Sequence, residues 1–520
     1  MPRIVPTPKQ SARKDKEVEG RNYDNSVQEL MGQINPYSVF MVIIIEVAMA
    51  VVAGSVISPT YHKILPHWTC STNVSQHNSC DCPPMNRSYR TDKSAFHSYS
   101  MDFALVCEYQ LLSALPGTLL MIGGFFGAIF FGYAADRFGR KPGCVLTLSG
   151  VSLATLVFGF SPDYLTSCFL IVLVGFFAGG YMVVGIATVI EYVGRRYRLL
   201  VSCLHGWPLG LMLMAFVGYL TENWRHYHIA YAIMGVPFVL PLLLATESPR
   251  WLIQRNRLKE AMRAIERMGK FNRQDYHLQI TMETLEAVYR AEQEAISRQR
   301  NYTYLDLFKS RQIRTNALFM IFSWFISGLV SWGIYSNLSF FPGIVYVNIF
   351  LSGLCKGLAG FLVPQICGLW LGRRPIFLAT VAICGLSMWG ITIIYLISAK
   401  PVGPLAHLLT AFAVIGLSAM DPAWKINHLY ANELFPTVLR NMANGFSNMG
   451  SRSAAIIAPA VAHLETIYRP APYIIFGILI IVQLVVASVV LPETKGKPLP
   501  DAIQVKKTPK AEALEISAIS

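Results

Sequence analysis

Long apolar runs, separated by short polar and basic stretches, recur along the whole chain. A helix needs about 20 apolar residues to cross the hydrocarbon core of a bilayer, and twelve runs are of that order. The third run is shorter than the rest, and the tenth is interrupted by charged residues. The twelve predicted helices are 37–59, 113–135, 144–161, 165–188, 199–220, 228–246, 316–337, 347–370, 375–398, 404–426, 443–464 and 472–491. The pattern predicts an all-α membrane protein with twelve transmembrane helices and with both termini on one side.

The composition agrees with this prediction. Hydrophobic residues make up 53% of the chain and charged residues only 14%, whereas soluble domains carry roughly 25% charged residues. The net charge of +14 could indicate nucleic-acid binding. However, the basic residues stand at the ends of apolar runs, where they hold membrane loops in the cytoplasm. We therefore expect the lipid bilayer as a partner and exclude nucleic acid.

Basic residues mark alternate loops and fix the orientation of the chain. The N-terminal tail is polar and basic and shows no cleavable signal peptide, so the first apolar run is interpreted as an uncleaved signal-anchor. The short loops on the opposite side hold little beyond Arg225, Lys400 and Arg469. The loops on the side of the tail carry Arg137, Arg140, Lys141, Arg195, Arg196, Arg198, Arg373, Arg374 and Arg440. Both termini are therefore predicted to be cytoplasmic.

The loop at 60–112 is then extracellular. Asn73 and Asn86 each begin an N-glycosylation acceptor triplet there. The same loop holds four of the ten cysteines, namely Cys70, Cys80, Cys82 and Cys107. Cysteines in an oxidising space favour disulfides, whose pairing stays open. A zinc site is the alternative, but no Cys-x-x-Cys pair and no well-spaced histidines support one, so we expect no metal.

Residues 253–314 divide the chain into six helices plus six. Apolar residues recur at helical spacing between charged ones in this segment, which is typical of amphipathic helices. Two six-helix halves joined by such a linker suggest a duplicated transporter with a site near the midplane. The predicted division is a tail at 1–36, a half at 37–252, the linker at 253–314, a half at 315–491 and a tail at 492–520.

A particular local pattern follows the second predicted helix, where residues 132–142 read Gly-Tyr-Ala-Ala-Asp-Arg-Phe-Gly-Arg-Lys-Pro. Glycines allow a tight turn and close helix approach. The charged side chains can pair across the cytoplasmic ends of neighbouring helices, as a charge lock that holds one conformation and breaks in another. The alternative, that the basic residues only fix topology, does not account for the full spacing. The predicted lock residues of this loop are Gly132, Asp136, Arg137, Gly139 and Arg140.

Four other helix ends also place an acidic residue near a basic one. The fourth predicted helix ends with Glu191 and Arg198, and the sixth with Glu247 and Arg250. The tenth ends with Glu433 and Arg440, and the twelfth with Pro-Glu-Thr-Lys-Gly at 492–496. These charges are predicted members of the same lock.

Ionisable residues inside predicted membrane helices are costly and by default mark a functional site. They are Glu46, Lys356, Asp421, Lys425 and Arg452. Lys356 is the expected countercharge of Glu46, unless that carboxyl stays protonated. Asp421 and Lys425 are four residues apart and could simply pair with each other. The aromatic residues Phe325, Trp332 and Tyr335 could stack on a ligand or serve only packing.

The loop at 132–142 resembles the signature loop of the major facilitator superfamily. The other helix ends match those of its sugar porters and of its organic cation, organic anion and carnitine transporters, which form the solute carrier 22 type. A large, cysteine-bearing external loop ending in Leu105-Val106-Cys107 favours this organic-ion branch, as does Ser323-Trp324-Phe325 with Tyr335. The resemblance covers about residues 37–505. It departs at 368–375, Gly-Leu-Trp-Leu-Gly-Arg-Arg-Pro, where Asp-Arg is replaced, which puts the charge lock of the second half in doubt.

The resemblance implies a plasma-membrane glycoprotein that moves small organic ions by alternating access. It implies no enzyme activity and no cofactor, and a co-transported ion is left open as a further partner. With Arg452, this position resembles the anion and carnitine transporters, which have arginine there, whereas cation transporters have aspartate. The planar guanidinium of arginine can also bind a carboxylate through two hydrogen bonds. An anionic or zwitterionic substrate is expected, with an organic cation attracted by Glu46 and Asp421 as the alternative. A further alternative is a non-transporting receptor or scaffold on the same fold.

Overall fold

The computed structural model describes residues 34–64, 68–70, 73–77, 87–89, 96–194, 197, 201, 204, 206–274, 280–298 and 303–495. Within these residues there are twelve long helices, and each coincides with one of the predicted apolar runs. They are α1 (Pro36–Ile57), α2 (Leu115–Phe138), α3 (Arg140–Gly159), α4 (Tyr164–Tyr192), α5 (Trp207–Thr221), α6 (Trp224–Leu244), α7 (Arg311–Asn337), α8 (Val345–Leu362), α9 (Arg373–Ile397), α10 (Pro404–Glu433), α11 (Thr437–His463) and α12 (Ala471–Val490). The prediction of a twelve-helix all-α membrane protein is confirmed.

Ten of the described helices are long and apolar enough to cross a membrane by length and composition alone. The other two are α5, which has 15 described residues, and α11. Helix α11 has 27 residues but carries a polar series that includes Asn444, Asn448 and Arg452. A helix this polar is suited to a position inside the bundle, because polar side chains are costly in lipid.

Short elements connect the long helices. The short α-helices are Pro59–His62, Tyr99–Asp102, Pro249–Gln254, Leu258–Asn272, Met282–Arg298 and Gly368–Trp370. The 3-10 turns are Cys107–Ser113, Tyr304–Phe308, Leu338–Phe340 and Leu464–Thr466, and a π-helical turn, Val363–Cys367, extends α8. Side-chain caps fix the first residues of several helices. At the beginning of α1, the side chain of Asn35 accepts a hydrogen bond from Ser38 N at 2.8 Å, as an N-cap residue does.

The first six helices and the last six pack in the same way. In the first set, α4 contacts α2 and α3, α6 contacts α3 and α1, and α5 contacts α1. In the second set, α10 contacts α8 and α9, α12 contacts α9 and α7, and α11 contacts α7. The two sets meet through α2 against α11 and α5 against α8. This repetition is the pattern expected of a duplicated unit, and it agrees with the predicted six-plus-six organisation.

Glycines let the main chains of α2 and α4 approach closely. A Cβ atom placed on Gly127 would lie 1.8 Å from the carbonyl oxygen of Phe176, and one on Gly175 would lie 2.0 Å from that of Leu120. Such contacts are typical of membrane helices, where small residues at an interface allow tight packing.

A small three-stranded antiparallel sheet, which was not predicted, lies between α1 and α2 in the loop that the sequence predicts to be external. Its strands are β1 (Trp68–Cys70), β2 (Asn73–His77) and β3 (Arg87–Tyr89), in the order β2-β1-β3. Cys107 is disulfide-bonded, as predicted. Cys80, Cys82 and Asn86 lie outside the described residues, as do the side chains of Cys70 and Asn73, so their predicted roles stay predictions.

The linker contains the two predicted amphipathic helices, Leu258–Asn272 and Met282–Arg298. The first buries one face through Ala261, Ile265 and Met268. Its last residue, Asn272, accepts a hydrogen bond from Tyr37 N through Oδ1 at 2.8 Å. The linker therefore packs against the first turn of α1.

Candidate functional site

Three charged residues of the second set share one ionic cluster between α8 and α10. Lys356 Nζ lies 2.6 Å from Asp421 Oδ1, and Lys425 Nζ lies 3.0 Å from Asp421 Oδ2. Lys425 also donates to the carbonyl oxygen of Gly360 at 2.8 Å. Lys356 and Asp421 are buried, so each charge depends on the other for stabilisation. The predicted pairing of Asp421 with Lys425 is confirmed.

The expected pairing of Lys356 with Glu46 is wrong. Glu46 Oε2 instead accepts a hydrogen bond from Gly206 N at 2.7 Å, at the start of α5. The N-terminus of a helix offers free N–H groups and a partial positive charge, which together stabilise a carboxylate. The prediction failed because it considered only side-chain charges as partners for Glu46.

An aromatic group connects the two sets of helices beside this cluster. Trp207 Nε1, at the start of α5, donates to Tyr335 Oη in α7 at 3.1 Å. Trp332 meets the Trp207 ring edge-on at a centroid distance of 5.5 Å. Lys356 Nζ lies 5.9 Å from the centroid of the Tyr335 ring. Trp332 and Tyr335 are thus brought to the site, whereas Phe325 packs half-buried against the core.

The sequence reasoning missed Trp207 and a buried polar network in the second set. Ser323 donates to Asn427 Oδ1 at 3.1 Å, and Gln483 Nε2 donates to Ser323 Oγ at 3.0 Å. These residues belong to α7, α10 and α12, and all three are fully buried. The available signal was the presence of amide side chains inside apolar runs, since uncharged polar residues also cost free energy in a membrane helix.

Arg452 occupies the middle of α11. Its side chain lies among protein atoms while the residue stays partly accessible. Within the described part of the chain, no hydrogen-bond or ion-pair partner contacts its guanidinium. An arginine in a spanning helix faces a partner or a water-filled space rather than lipid. Arg452 is therefore available to a charged ligand in a way that Lys356 is not.

The signature loop of the first set brings together several of the charged residues of the predicted charge lock. Arg140 lies 2.6 Å from Asp136 through Nη1 and 2.8 Å from Glu191 through Nε. Glu247 Oε1 accepts hydrogen bonds from the backbone N–H groups of Arg140 and Lys141, both at 3.1 Å. Burial raises the pKa of Glu247 despite these hydrogen bonds.

Other predicted lock residues contribute differently. Arg137 donates to Tyr133 Oη at 3.2 Å rather than to an acidic partner. Arg250 lies in the first turn of the short helix Pro249–Gln254, Arg440 lies in the first turn of α11, and Arg198 lies outside the described residues. A Cβ atom on Gly132 would meet only Val183 Cγ1, at 3.6 Å, so no close approach requires a glycine there.

The second set has a similar arrangement of contacts around Glu493, although Leu369-Trp370 replaces Asp-Arg. Glu493 accepts hydrogen bonds from Arg373 N at 2.9 Å and from Arg374 N at 3.1 Å. The guanidinium of Arg373 lies 3.7 Å from Glu433. Burial would raise the pKa of Glu493, but its backbone hydrogen bonds lower it further than burial raises it. The carboxylate that caps the next helix is thus present in this half as well, and the charge lock of the second half stays a prediction.

The described residues contain no group of three or more histidine, cysteine, aspartate or glutamate side chains that could hold a metal ion. The geometry instead consists of buried charge pairs between α8 and α10 and of carboxylates that cap the starts of α3 and α9.

Comparison with known proteins decides the family. The family described as "Sugar (and other) transporter" matches residues 70–505. An organic cation transporter protein of Drosophila melanogaster is 31% identical over 80% of this chain and 75% of its own length. The chain belongs to the sugar (and other) transporter family and, within it, to solute carrier family 22. Human solute carrier family 22 member 2 is 30% identical over 78% of this chain and 70% of its own length.

Solved structures agree on the fold of this solute carrier. The proton:xylose symporter XylE bound to 6-bromo-6-deoxy-D-glucose superposes with a TM-score of 0.63 and 16% identity, over 90% of this chain and 98% of XylE. The inward-open conformation of XylE from E. coli gives a TM-score of 0.60 and 18% identity, over 92% and 98%. At these identities the likeness shows the major facilitator fold alone.

Proposed function

We propose that this protein carries small organic ions across the plasma membrane by alternating access, with a preference for organic anions or zwitterions. Membership of solute carrier family 22 supports the transport of organic ions. The preference for a negative group rests on a single observation, which is that Arg452 has no hydrogen-bond or ion-pair partner in the described part of the chain. A guanidinium can bind a carboxylate through two parallel hydrogen bonds.

The other charges inside the predicted membrane helices favour the same substrate. Asp421 is held between Lys356 and Lys425, and the Glu46 carboxylate accepts from Gly206 N. Both carboxylates that could attract a cation are thus already engaged, whereas the guanidinium is available. A substrate carboxylate at Arg452 would satisfy a buried charge, which is worth more inside the protein than in water.

The proposed movement uses the two halves as units, with the first half at 37–252 and the second at 315–491. Glu247 and Glu493 fix corresponding helix starts in the two sets. Contacts of α2 with α11 and of α5 with α8 provide the surfaces on which the halves would rock. Rocking of one repeat against the other around a fixed site is the usual form of alternating access. In this proposal both termini are cytoplasmic.

An organic cation is the second candidate substrate, and one observation favours it: the Drosophila relative is named an organic cation transporter. In that case Asp421 would have to exchange a lysine partner for the substrate. The two candidates differ in which residue sets selectivity, Arg452 or Asp421.

The test is uptake in oocytes of a labelled aryl carboxylate, carnitine and tetraethylammonium by the unchanged protein, Arg452→Lys and Arg452→Asp. We expect Arg452→Asp to reduce aryl carboxylate uptake by about tenfold or more, since losing a charge-assisted contact costs roughly 1.5–3 kcal/mol. Arg452→Lys, which keeps the charge, should lose less. Aryl carboxylate uptake that Arg452→Asp leaves unchanged contradicts the proposal, and uptake of tetraethylammonium alone supports the second candidate. Binding of these probes without flux in reconstituted vesicles would instead indicate a receptor.

A further inference from the structure

A group of ionisable side chains lies where the extracellular ends of the two sets meet, away from the cluster of Asp421. Lys63 follows the short helix Pro59–His62, which continues α1. His463 is the last residue of α11, and Glu465 lies in the turn Leu464–Thr466. Lys63 is only 2% exposed and Glu465 only 7% exposed. Charges buried to this degree change protonation state readily, because burial disfavours the charged form.

Glu465 is held entirely by the second set. Tyr395 Oη in α9 donates to Glu465 Oε1 at 3.0 Å, and Tyr473 Oη in α12 donates to Oε2 at 2.8 Å. Arg469, in the same loop, attracts the carboxylate from the extracellular surface. The carboxylate is therefore positioned whatever the first set does.

Lys63, from the first set, acts on this carboxylate electrostatically. Its ammonium has no hydrogen-bond partner among the described residues, and it interacts electrostatically with Glu465 and with His463. The charged and titratable groups that face Glu465 are thus Tyr395, Tyr473, Arg469 and Lys63, with His463 next to Lys63. The attraction between Lys63 and Glu465 acts across the boundary between the two sets.

That boundary is closed at the extracellular end. Thr60 Oγ1 donates to the carbonyl oxygen of Tyr335 at 2.8 Å, and the rings of Tyr61 and Tyr346 lie 6.1 Å apart. Lys63 and Glu465 lie on opposite sides of this contact. If the sets separate here, as alternating access requires, both groups enter water and move apart. Proton binding by this pair is therefore linked to opening.

We propose that Glu465 is a proton-binding site, completed by Lys63 from the first set, whose occupancy determines how readily the extracellular side opens. The proton comes from a hydronium ion in the external water: one O–H bond breaks in the hydronium ion, and one forms at the carboxylate oxygen. The inference rests on the alternating-access part of the proposed function and not on the identity of the substrate.

The direction of the linkage follows from burial. Burial raises the pKa of Glu465 to about 7, more than the tyrosines, Arg469 and Lys63 lower it. In the open state the exposed carboxyl returns towards its ordinary pKa of 4.5. The closed state therefore binds the proton more tightly, so acid favours closure, and this contribution is lost as the external pH rises through about 7. Burial lowers the pKa of Lys63 to about 8, so above that pH the loss of its proton favours closure again.

The experiment measures extracellular opening directly, with the full-length protein in intact cells. Gly117→Cys supplies the reporter, because its Cβ would meet Pro459 and Pro59 at 3.5 Å, an ordinary contact that seals it when the end is closed. Val402→Cys, in the exposed loop before α10 and 80% exposed, is the reference site. The ratio of their rates of modification by a membrane-impermeant methanethiosulfonate cancels the pH dependence of the thiol itself.

We expect this ratio to rise roughly tenfold between external pH 5.5 and 7.5, from the difference in proton affinity between the two states. In Glu465→Gln, which mimics the protonated carboxyl, the ratio should stay low and flat. In Lys63→Met the rise should move to higher pH, because the cation that favours the carboxylate is gone. The matched control is Glu108→Gln, an exposed carboxylate on the same side, which should leave the profile unchanged.

A ratio that does not vary with pH, or that varies equally in Glu465→Gln, would overturn the proposal. If Glu465→Gln does not reach the cell surface, Tyr473→Phe replaces it: this variant keeps the carboxyl, loses one O–H donor, and should shift the rise to higher pH. An unshifted profile in Tyr473→Phe would also overturn it. If no substrate flux is found but the ratio of modification rates still depends on pH, the proposed transport function is refuted and this inference stands.

Discussion

The ammonium of Lys356 and the carboxylate of Asp421 lie 2.6 Å apart, between two helices that the sequence separates by 41 residues of loop and helix α9. The same carboxylate also contacts Lys425. A Cβ atom on Gly360 would lie 1.8 Å from Asp421 Oδ2, so the glycine provides the space in which the carboxylate sits. Asp421 thus neutralises two lysines in the membrane before it can serve any ligand.

Replacement of Asp421 should therefore destabilise the protein. Asp421→Asn leaves two buried ammonium groups without a countercharge, and we expect a loss of about 3 kcal/mol, as for other broken buried pairs. The measurement is thermal unfolding of the purified protein in detergent. The double variant Asp421→Asn/Lys356→Met should recover part of the loss, because it removes one unpaired charge.

The matched control is Glu286→Gln, which removes an exposed pair with Arg290 at 3.2 Å and should change stability by less than about 0.5 kcal/mol. If Asp421→Asn is as stable as this control, Asp421 does not stabilise the two buried lysines. The same conclusion follows if the double variant is less stable than Asp421→Asn.

The two glycines of the signature loop should respond differently to substitution. Gly139 has a φ of +122°, and a Cβ atom there would lie 2.2 Å from Glu247 Oε2. Gly139→Ala combines backbone strain with displacement of the carboxylate cap, so we expect a loss of about 2 kcal/mol or more. Gly132→Ala meets only an ordinary contact within α2 and should be neutral or slightly stabilising.

Uptake rate and thermal unfolding of both alanine variants, measured side by side, check this prediction. Gly372→Ala provides a further comparison in the second set. Its φ is −78°, so the backbone is unstrained, yet its Cβ would lie 1.9 Å from Glu493 Oε2. Its effect should fall between the other two, and equal losses at Gly132 and Gly139 would contradict the assigned role of Glu247.

The helices could be predicted well because the bilayer imposes both their length and their composition. The predicted run 404–426 and the helix Pro404–Glu433 begin at the same residue, where proline at the first turn fixes the start. The predicted helix ended too early, at residue 426 and not at Glu433, because polar residues near the end of a helix do not terminate it. The run 199–220 was placed several residues ahead of the described start of α5 at Trp207.

Partners within the site were harder to predict, because they come from distant parts of the chain. The acidic motifs of the helix ends were recognised, but Glu247 and Glu493 bind backbone N–H groups more than 100 residues away in sequence. Every residue except proline has a backbone N–H group, so the residue types do not indicate which of these groups a carboxylate will bind. The same reason explains the wrong partner for Glu46, and an aromatic at a helix start, such as Trp207, gives no pattern that separates contact from packing.

A test of pH dependence is available in the first set, where Asp102 ties the loop before α2 to the start of α6. Asp102 Oδ2 accepts from Trp224 Nε1 and from Arg225 Nε, both at 2.9 Å, and Oδ1 lies 2.5 Å from His97 Nε2. Burial would raise the pKa of Asp102, but the hydrogen bonds from His97, Trp224 and Arg225 outweigh it and hold the pKa below the ordinary value of 3.8. A carboxyl with a lowered pKa adds stability above its ordinary pKa, and that stability is lost as the pH falls through the lowered value.

Asp102→Asn should therefore be less stable than the unchanged protein by about 1–3 kcal/mol near neutral pH, and the difference should shrink as the pH approaches 3. Thermal unfolding in detergent at several pH values between 7 and 3 measures it, with the exposed Glu108→Gln as a control that should stay within about 0.5 kcal/mol throughout. A difference that is constant from pH 7 to 3 would mean that Asp102 acts through its shape and neutral hydrogen bonds. A shrinking difference would mean that the charge on Asp102 holds the Arg225 guanidinium and, through its bond to the Ser161 carbonyl at 2.6 Å, the end of α3.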